Sequence, residues 1–596
     1  MLQELDSLPA SRVDAAARLD QRRWLATQLR LHWPVLAVLA VFAASAFVVP
    51  TLAPVATTDD WGYSRSVEIL YHEGDLKVFP VVAATAVFQI VWGWLFAQTF
   101  GMTLGVMRLS TVVMVGLGAL ALYGLLRELG VGRGRSALGV AAYLFNPLTF
   151  VLAFTFMTDP HFASLLVVST LGYVRGLRPD RRAPQATIAG SVVAGLAFLT
   201  RQQGALIPLA VVLFLVLTGR MRPNRAGLVA FLRVVAVPAV AAVGYYLWLR
   251  SSNDVPDVQQ GFFEEAKASG LGGAWRLTRN LAFIELVYLG FFVLPIVAAA
   301  VPNLRRVVAT MNPAGWLLFA VWEGTLIAGF AIYGLQGSRM PYIGQFVGTG
   351  GLGPPDVLGS RPRLLDASLR DNITVVCAVA AILLALLLCR SLRALTSLDH
   401  AKAGLVLAIG LWQVAGVIPP SFHYVRRGYS LDRYLLPLLP LGICLLLWGV
   451  RDLRIVQPVA WLIVAAFAAY SIAGTRDYLV YMDTVWSLGR DANATGIADV
   501  NLDAGSAWDG YHLYTYGLDN DITKGRTNNG PWWVYFYGKA TDSTYVVTAK
   551  PAAGVTVILT RNVSPWLGDK PFKLYLVRAV PEPATPRGRR SPWGGP

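Results

Sequence analysis

Thr57-Thr58-Asp59-Asp60-Trp61-Gly62-Tyr63 stands just beyond an apolar run, Pro34 to Pro54, that is long enough to cross a bilayer. Two adjacent carboxylates so close to hydrocarbon are expensive to place, and such charges usually serve function. One Asp is accounted for as the N-cap of a following helix. The second is surplus to capping. The stretch therefore marks where the chain first leaves a membrane, and it marks that place as a candidate site.

The composition agrees with a polytopic membrane protein. Hydrophobic residues make up 55% of the 596 residues and charged residues only 14%. Mean hydropathy is +0.51. Soluble domains carry about a quarter charged residues. The net charge of +16 would suit nucleic acid. However, the arginines cluster in short loops between apolar runs, as the positive-inside rule requires, so no nucleic-acid partner is expected. Cys377, Cys389 and Cys444 all fall in apolar runs and offer neither a disulfide framework nor a CxxC metal motif. About thirty residues precede the first run, and no small-residue cleavage site is evident among them.

Charge placement orders the spans. Arg12, Arg18, Arg22, Arg23 and Arg30 put the N-terminus in the cytoplasm, so span 1 (33–53) delivers Asp59 and Asp60 outside. Segment 78–100 decides the rest. If it crossed, Arg127, Arg133 and Arg135 would lie outside, so it is expected to stay in the outer interface. Segment 60–73 then reads as a short amphipathic helix, with Val67, Ile69 and Leu70 opposite Arg65 and Glu68. Twelve further spans follow at 104–126, 136–157, 162–175, 186–200, 204–219, 226–249, 281–301, 314–334, 372–389, 403–419, 434–450 and 456–474. The expected fold is an α-helical polytopic membrane protein of about thirteen transmembrane helices, with interfacial helices in the first outer loop. Residues 1–475 form the membrane domain. Residues 476–580 form a small α/β extracytoplasmic domain, with strands at 545–548, 555–560 and 573–580. Residues 581–596, rich in Pro, Arg and Gly, read as a disordered tail.

Several residues break the pattern. Arg201, Arg339, Arg426, Arg427 and Arg433 lie at outer span ends, where the positive-inside rule does not put them. A planar guanidinium fork binds phosphate in two places, so these arginines suit a lipid-linked phosphate; pairing with anionic headgroups is the plainer alternative. Asp159 is a third acid at an outer span end, with Pro160 and His161 behind it. With Asp59 or Asp60 these side chains make a possible divalent metal site, although no His-x3-His spacing supports one and no tightly held metal is expected. Capping of the next span explains Asp159 equally well. Trp61, Tyr63, Tyr342, Phe422, Tyr424, Tyr429 and Tyr434 read mostly as an interfacial aromatic belt. His72, His423 and His512 read as ordinary surface or interface histidines.

These features, in this order, resemble the C-type glycosyltransferase superfamily. The resemblance rests on Asp59-Asp60-Trp61-Gly62-Tyr63-Ser64-Arg65, Thr158-Asp159, Thr200-Arg201, Asp432-Arg433-Tyr434 with Pro437 and Pro440, and Asn501-Leu502-Asp503-Ala504-Gly505. It points to bacterial members related to the aminoarabinose transferase of lipid A and to protein O-mannosyltransferases. It implies a polyprenyl-phosphate sugar donor, an acceptor that is a lipid, glycan or protein, and inverting transfer outside the cell membrane. It implies Asp59 as general base, with Asp60 and Asp159 orienting the base or holding the acceptor. Arg201 and Arg433 would hold the phosphate. Lys77 joins them because relatives place a Lys nearby. Tyr63, Tyr434 and His161 complete the expected site. Two positions depart from the pattern: Asp60 stands where relatives often have Glu, and Gly62 where aminoarabinose transferases tend to have Arg. The sugar is therefore left open. A transporter of lipid-linked sugars is the competing class. It shares the spans and the arginines but leaves the paired acids unexplained, and transporters usually show repeats and midplane sites.

Overall fold

The structure is a computed structural model that describes residues 10–178, 180–395, 401–421, 431–522, 530–568 and 570–579. Arg426 and Arg427 lie outside the described residues, as do Phe422, His423, Tyr424, Tyr429 and the segment 581–596.

The chain is mostly helical. α1 (Ala10–Val48) carries the first apolar run, and α2 (Asp60–His72) begins at the second Asp of the pair. α3 (Val87–Phe100) comes next. It has 14 residues, a rise of ~21 Å, well short of a ~30 Å hydrocarbon layer. α4 (Leu104–Glu128) is a full-length apolar helix started by Thr103, whose hydroxyl accepts the Val106 amide. α5 (Arg133–Leu144) and α6 (Pro147–Ala153) bend by 65°, because Asn146 caps a new helix with Pro at its first position. The span expected at 136–157 is therefore a broken one. α7 (Thr158–Gly176), α8 (Ala183–Phe198), α9 (Leu206–Leu217) and α10 (Arg225–Trp248) follow. Next come α11 (Asp257–Phe292), α12 (Leu294–Ala300), α13 (Leu304–Ala309) and α14 (Pro313–Leu335). A loop with a small hairpin, β1 (Val347–Gly348) and β2 (Gly351–Leu352), leads to α15 (Ala367–Leu395). α16 (Ala401–Gly416), α17 (Ile418–Ser421), α18 (Leu438–Gly449) and α19 (Gln457–Ala494) complete the helical body.

Seven described helices are long and apolar enough to cross a membrane, or nine if each of two bent pairs is one span. The runs expected at 186–200, 204–219 and 403–419 form shorter apolar helices of 10–17 residues. Leu217, Val240, Leu317, Ile327, Leu335 and Leu462 are each more than two-thirds exposed, as side chains in contact with lipid would be. Helix ends define two faces. Arg175, Arg178 and Lys402 converge on Glu128 at one face. Asp59, Asp159, Arg201 and Arg433 gather at the other.

α19 has 38 residues and runs unbroken past position 475, where a domain boundary was expected. Its far half is the spine of the C-terminal domain, with Tyr478, Tyr481, Met482, Val485 and Trp486 buried. β3 (Leu502–Asp503) starts that domain's sheet, followed by α20 (Ser506–Asp519), α21 (Trp532–Phe536), β4 (Tyr545–Thr548), β5 (Thr556–Val563) and β6 (Phe572–Arg578). The strand order is β3-β4-β6-β5, with β3 parallel to β4 and the other pairs antiparallel.

α2 does not lie free at an interface. Its first half is buried, and Trp61 is fully enclosed by Phe79, Tyr514 and Tyr537 at ring distances of 5.2–5.9 Å. Gly510 on α20 makes this possible, since a Cβ there would overlap the Trp61 indole. The C-terminal domain thus clamps the helix that carries the Asp pair.

Candidate active site

The turn between α1 and α2 is pinned from three sides. Arg108, four residues into α4 and 1% exposed, donates to the carbonyls of Thr51, Ala53 and Val55 at 2.5, 3.2 and 2.6 Å. Tyr478 on α19 donates its hydroxyl to the Thr57 carbonyl. Asp60 closes the turn on itself. It accepts the Thr57 amide at 2.8 Å, the Thr57 hydroxyl at 2.7 Å and the Thr58 amide at 3.2 Å. It also accepts the Phe156 amide, ahead of α7, at 3.3 Å. Four donors occupy this buried carboxylate, which fixes the turn that carries Asp59.

Asp59 is different. Its side chain is 27% exposed and meets Arg433, whose two terminal nitrogens donate at 3.0 and 3.3 Å. Arg433 sits in a 3-10 turn, Asp432–Leu435, ahead of α18. Asp432 anchors that turn by accepting the Phe346 and Val347 amides, each at 2.8 Å.

A second ion pair joins Arg201 and Asp159, and the same guanidinium reaches the Thr158 hydroxyl at 3.3 Å. Arg201 lies in the turn between α8 and α9. That turn is strapped to segment 83–88: the Thr200 and Leu199 carbonyls accept the Ala86 and Phe88 amides, and Gln202 donates to the Ala83 carbonyl. Segment 78–100 therefore positions Arg201. The Tyr434 ring lies near both cations, 5.3 Å from Arg201 and 5.6 Å from Arg433. Tyr63 is buried among the four charges. Burial, then Asp59, raises its phenol far above the ordinary value.

Burial alone would raise the Asp59 pKa. The Arg433 guanidinium outweighs it and holds the carboxyl below its ordinary 3.8. Asp356, in the loop before α15, faces the same charges. Burial first, then repulsion from Asp59, pushes its carboxyl up to about 7. Its own carbonyl accepts the Ser506 amide at 3.0 Å, which ties the C-terminal domain to the site.

Other expected residues stand apart. Lys77 is exposed and pairs with Asp75 at 2.9 Å. Arg339 is drawn to Asp371. His161 is fully buried and spends Nδ1 on the Met157 carbonyl at 3.0 Å. Among the described residues, no three His, Cys, Asp or Glu side chains group as metal ligands, so Asp59, Asp60, Asp159 and His161 are not brought together as such a set. Sequence reasoning missed Arg108, Asp356 and Tyr478. An Arg inside an apolar run signals the first, and an acid directly after Pro354-Pro355 signals the second. Tyr478 gives no signal in the sequence.

The chain resembles C-type glycosyltransferases. Residues 90–248 match the family model for dolichyl-phosphate-mannose-protein mannosyltransferase. That segment includes Asp159, His161 and Arg201, whereas Asp59 and Arg433 lie outside it. Among solved structures, the chain is similar to ArnT from Cupriavidus metallidurans bound to undecaprenyl phosphate. Identity is 15% over 92% of this chain and 98% of that one, with a TM-score of 0.42. It is also similar to the archaeal oligosaccharyltransferase AglB from Archaeoglobus fulgidus in complex with an inhibitory peptide and a dolichol-phosphate. There, identity is 16% over 78% of this chain and 52% of that one, with a TM-score of 0.30. No curated protein matches the chain.

Proposed function

We propose that this protein transfers a sugar from a polyprenyl-phosphate donor to an acceptor hydroxyl on the outer face of a cell membrane, with inversion. The observation that carries this reading is the Asp59–Arg433 pair beside the Asp159–Arg201 pair. A solvent-reachable carboxylate is held by one guanidinium, and a second guanidinium lies against the same Tyr434 ring as the first. The acceptor oxygen forms a bond to the anomeric carbon. The bond from that carbon to the phosphate oxygen breaks, and the phosphate leaves with the electron pair. Asp59 takes the acceptor proton. Arg201 and Arg433 stabilise the charge that grows on the leaving phosphate.

In the resting protein each arginine is neutralised by its own carboxylate. An arriving phosphate competes for Arg433, which relaxes its grip on Asp59 and makes that carboxylate a stronger base. In this reading thirteen spans place the N-terminus in the cytoplasm and residues 476–580 outside. The lipid chain follows a groove beside segment 78–100. The acceptor is a lipid, a glycan or a protein.

The test is incubation of the purified protein with a panel of polyprenyl-phosphate sugars and acceptors, read by mass spectrometry. Release of free polyprenyl phosphate, lost in Asp59→Asn, is expected. Movement of lipid-linked sugar across a bilayer with every donor left intact would replace the transferase by a transporter.

A further inference from the structure

A cavity of about 420 Å³ opens between the first outer loop and the C-terminal domain, lined by Glu68, Trp486, Arg490, Asn493, Trp508 and His512 among others. Its wall is aromatic. Trp508 stacks on His512 at 4.0 Å, and Trp486 meets Trp508 edge to face at 5.1 Å. His512, expected to be an ordinary surface histidine, is thus built into a platform. Two of its ring nitrogens, Trp486 Nε1 and His512 Nε2, are buried without a hydrogen-bond partner. Buried polar atoms normally have partners, so two orphans beside one cavity point to something that binds there.

The charges of this wall are already matched. Glu68 accepts from Arg65 at 2.6 Å and from the Tyr511 hydroxyl at 2.7 Å. His512 faces Asp499 and Arg490 faces Asp483, both at 3.4 Å. Arg65 and Arg490 each have an acid beside them, unlike cations in a site built for an anion. A neutral ring with hydroxyl groups fits better. Its C–H face lies on the aromatic rings, and its hydroxyls meet the carboxylate, amide and ring nitrogens.

The position adds a direction. Glu68 and Asp60 share α2, with Asp59 at its N-cap and Glu68 a little over two turns from Asp60, a rise of ~12 Å. A short oligosaccharide reaches that far. We propose that this cavity is a carbohydrate subsite that holds a neutral sugar unit of the acceptor glycan, with the attacking hydroxyl at the other end, beside Asp59. The direction toward Asp59 rests on the transferase reading, while the sugar site itself does not.

The test uses the full-length protein in detergent micelles, titrated with methyl mannoside, mannobiose and maltose and read by saturation-transfer NMR. At least one of these sugars is expected to bind. Trp486→Phe keeps the ring and removes the N–H, and Asn493→Ala removes the amide. Each should weaken binding on the order of 10-fold, while Asp59→Asn leaves it unchanged. Thermal unfolding confirms that both variants fold. The proposal is overturned if none of the three sugars binds, if neither variant weakens binding, or if inorganic phosphate competes for the same place. Donor consumption is followed in the same preparations. Consumption without sugar binding removes the subsite and leaves the transferase. Sugar binding that both variants weaken, with no donor consumed, keeps the subsite and removes the transferase.

Discussion

Arg433 holds Asp59 through both terminal nitrogens of its guanidinium, at 3.0 and 3.3 Å, although 374 positions separate them in the chain. Asp60, the adjacent residue, is occupied by amides and a hydroxyl instead. Two acids that look equivalent in sequence therefore do different work.

Replacing each acid by its amide separates the two roles. Asp59→Asn should lower turnover by ~10²–10⁴, the usual worth of a general base. Donor affinity should hold or rise, because Arg433 loses its competing carboxylate. Asp60→Asn turns an N–H₂ group toward donors, breaks the turn and should lower the unfolding temperature as well as activity. Turnover, donor affinity and thermal unfolding of both variants provide the check. Full activity in Asp59→Asn would remove it as the base.

Arg201→Ala strands Asp159, which is 1% exposed, without its cation. Breaking a buried pair from one side costs about 3–5 kcal/mol. The double variant Arg201→Ala, Asp159→Asn should recover most of that stability, since no bare charge is left. If Arg201 holds the donor phosphate as proposed, donor binding and turnover should stay low in both. Recovery of activity along with stability would make Arg201 purely structural.

The pH profile carries a sign. Asp59 has a depressed pKa in the free protein, so its ionised form and the stability of its ion pair are present above the ordinary 3.8 and are lost as pH falls through the lower folded value. The acid limb of kcat/KM reports the free protein and should lie below the ordinary carboxylate range. If a bound phosphate diverts Arg433, as the proposed function has it, the acid limb of kcat should lie at higher pH. Coincident limbs would show that the phosphate does not share Arg433.

Asp356 titrates in the opposite sense. Its carboxyl is raised to about 7, so it keeps a proton in the folded protein that it loses near 3.8 when unfolded. It therefore costs the folded state progressively more as pH rises from about 4 to about 7. Asp356→Asn removes that cost. Its unfolding temperature should exceed the wild type's by a few degrees at pH 8 and match it near pH 4. A constant difference across pH would mean that the effect is packing.

Orientation can be read by labelling. Cys377, Cys389 and Cys444 are buried, so the native chain gives a low background. A cysteine at the exposed position Glu73 should react with an impermeant reagent from outside, and one at the exposed position Arg133 only after permeabilisation. Reaction at position 133 from outside would invert the topology.

The sequence by itself determined what local pattern can carry. Apolar run length and arginine placement marked a membrane protein. The stretch from Thr57 to Tyr63 marked the site, and β-branched and aromatic runs marked three of the four strands of the C-terminal sheet. Such features are written in neighbouring residues, because hydrophobic burial and helix or strand periodicity act over a few positions. The tertiary structure decided which charges meet. It sent Lys77 to Asp75 and Arg339 to Asp371, and it gave Arg433 to Asp59 and Arg201 to Asp159. It also carried α19 past the expected boundary, so that Tyr478 reaches the Thr57 carbonyl and Trp486 reaches the aromatic platform over Glu68. A carboxylate's environment is set by whatever cation packing brings within a few ångströms, and partners hundreds of residues apart leave no trace in the residues beside it.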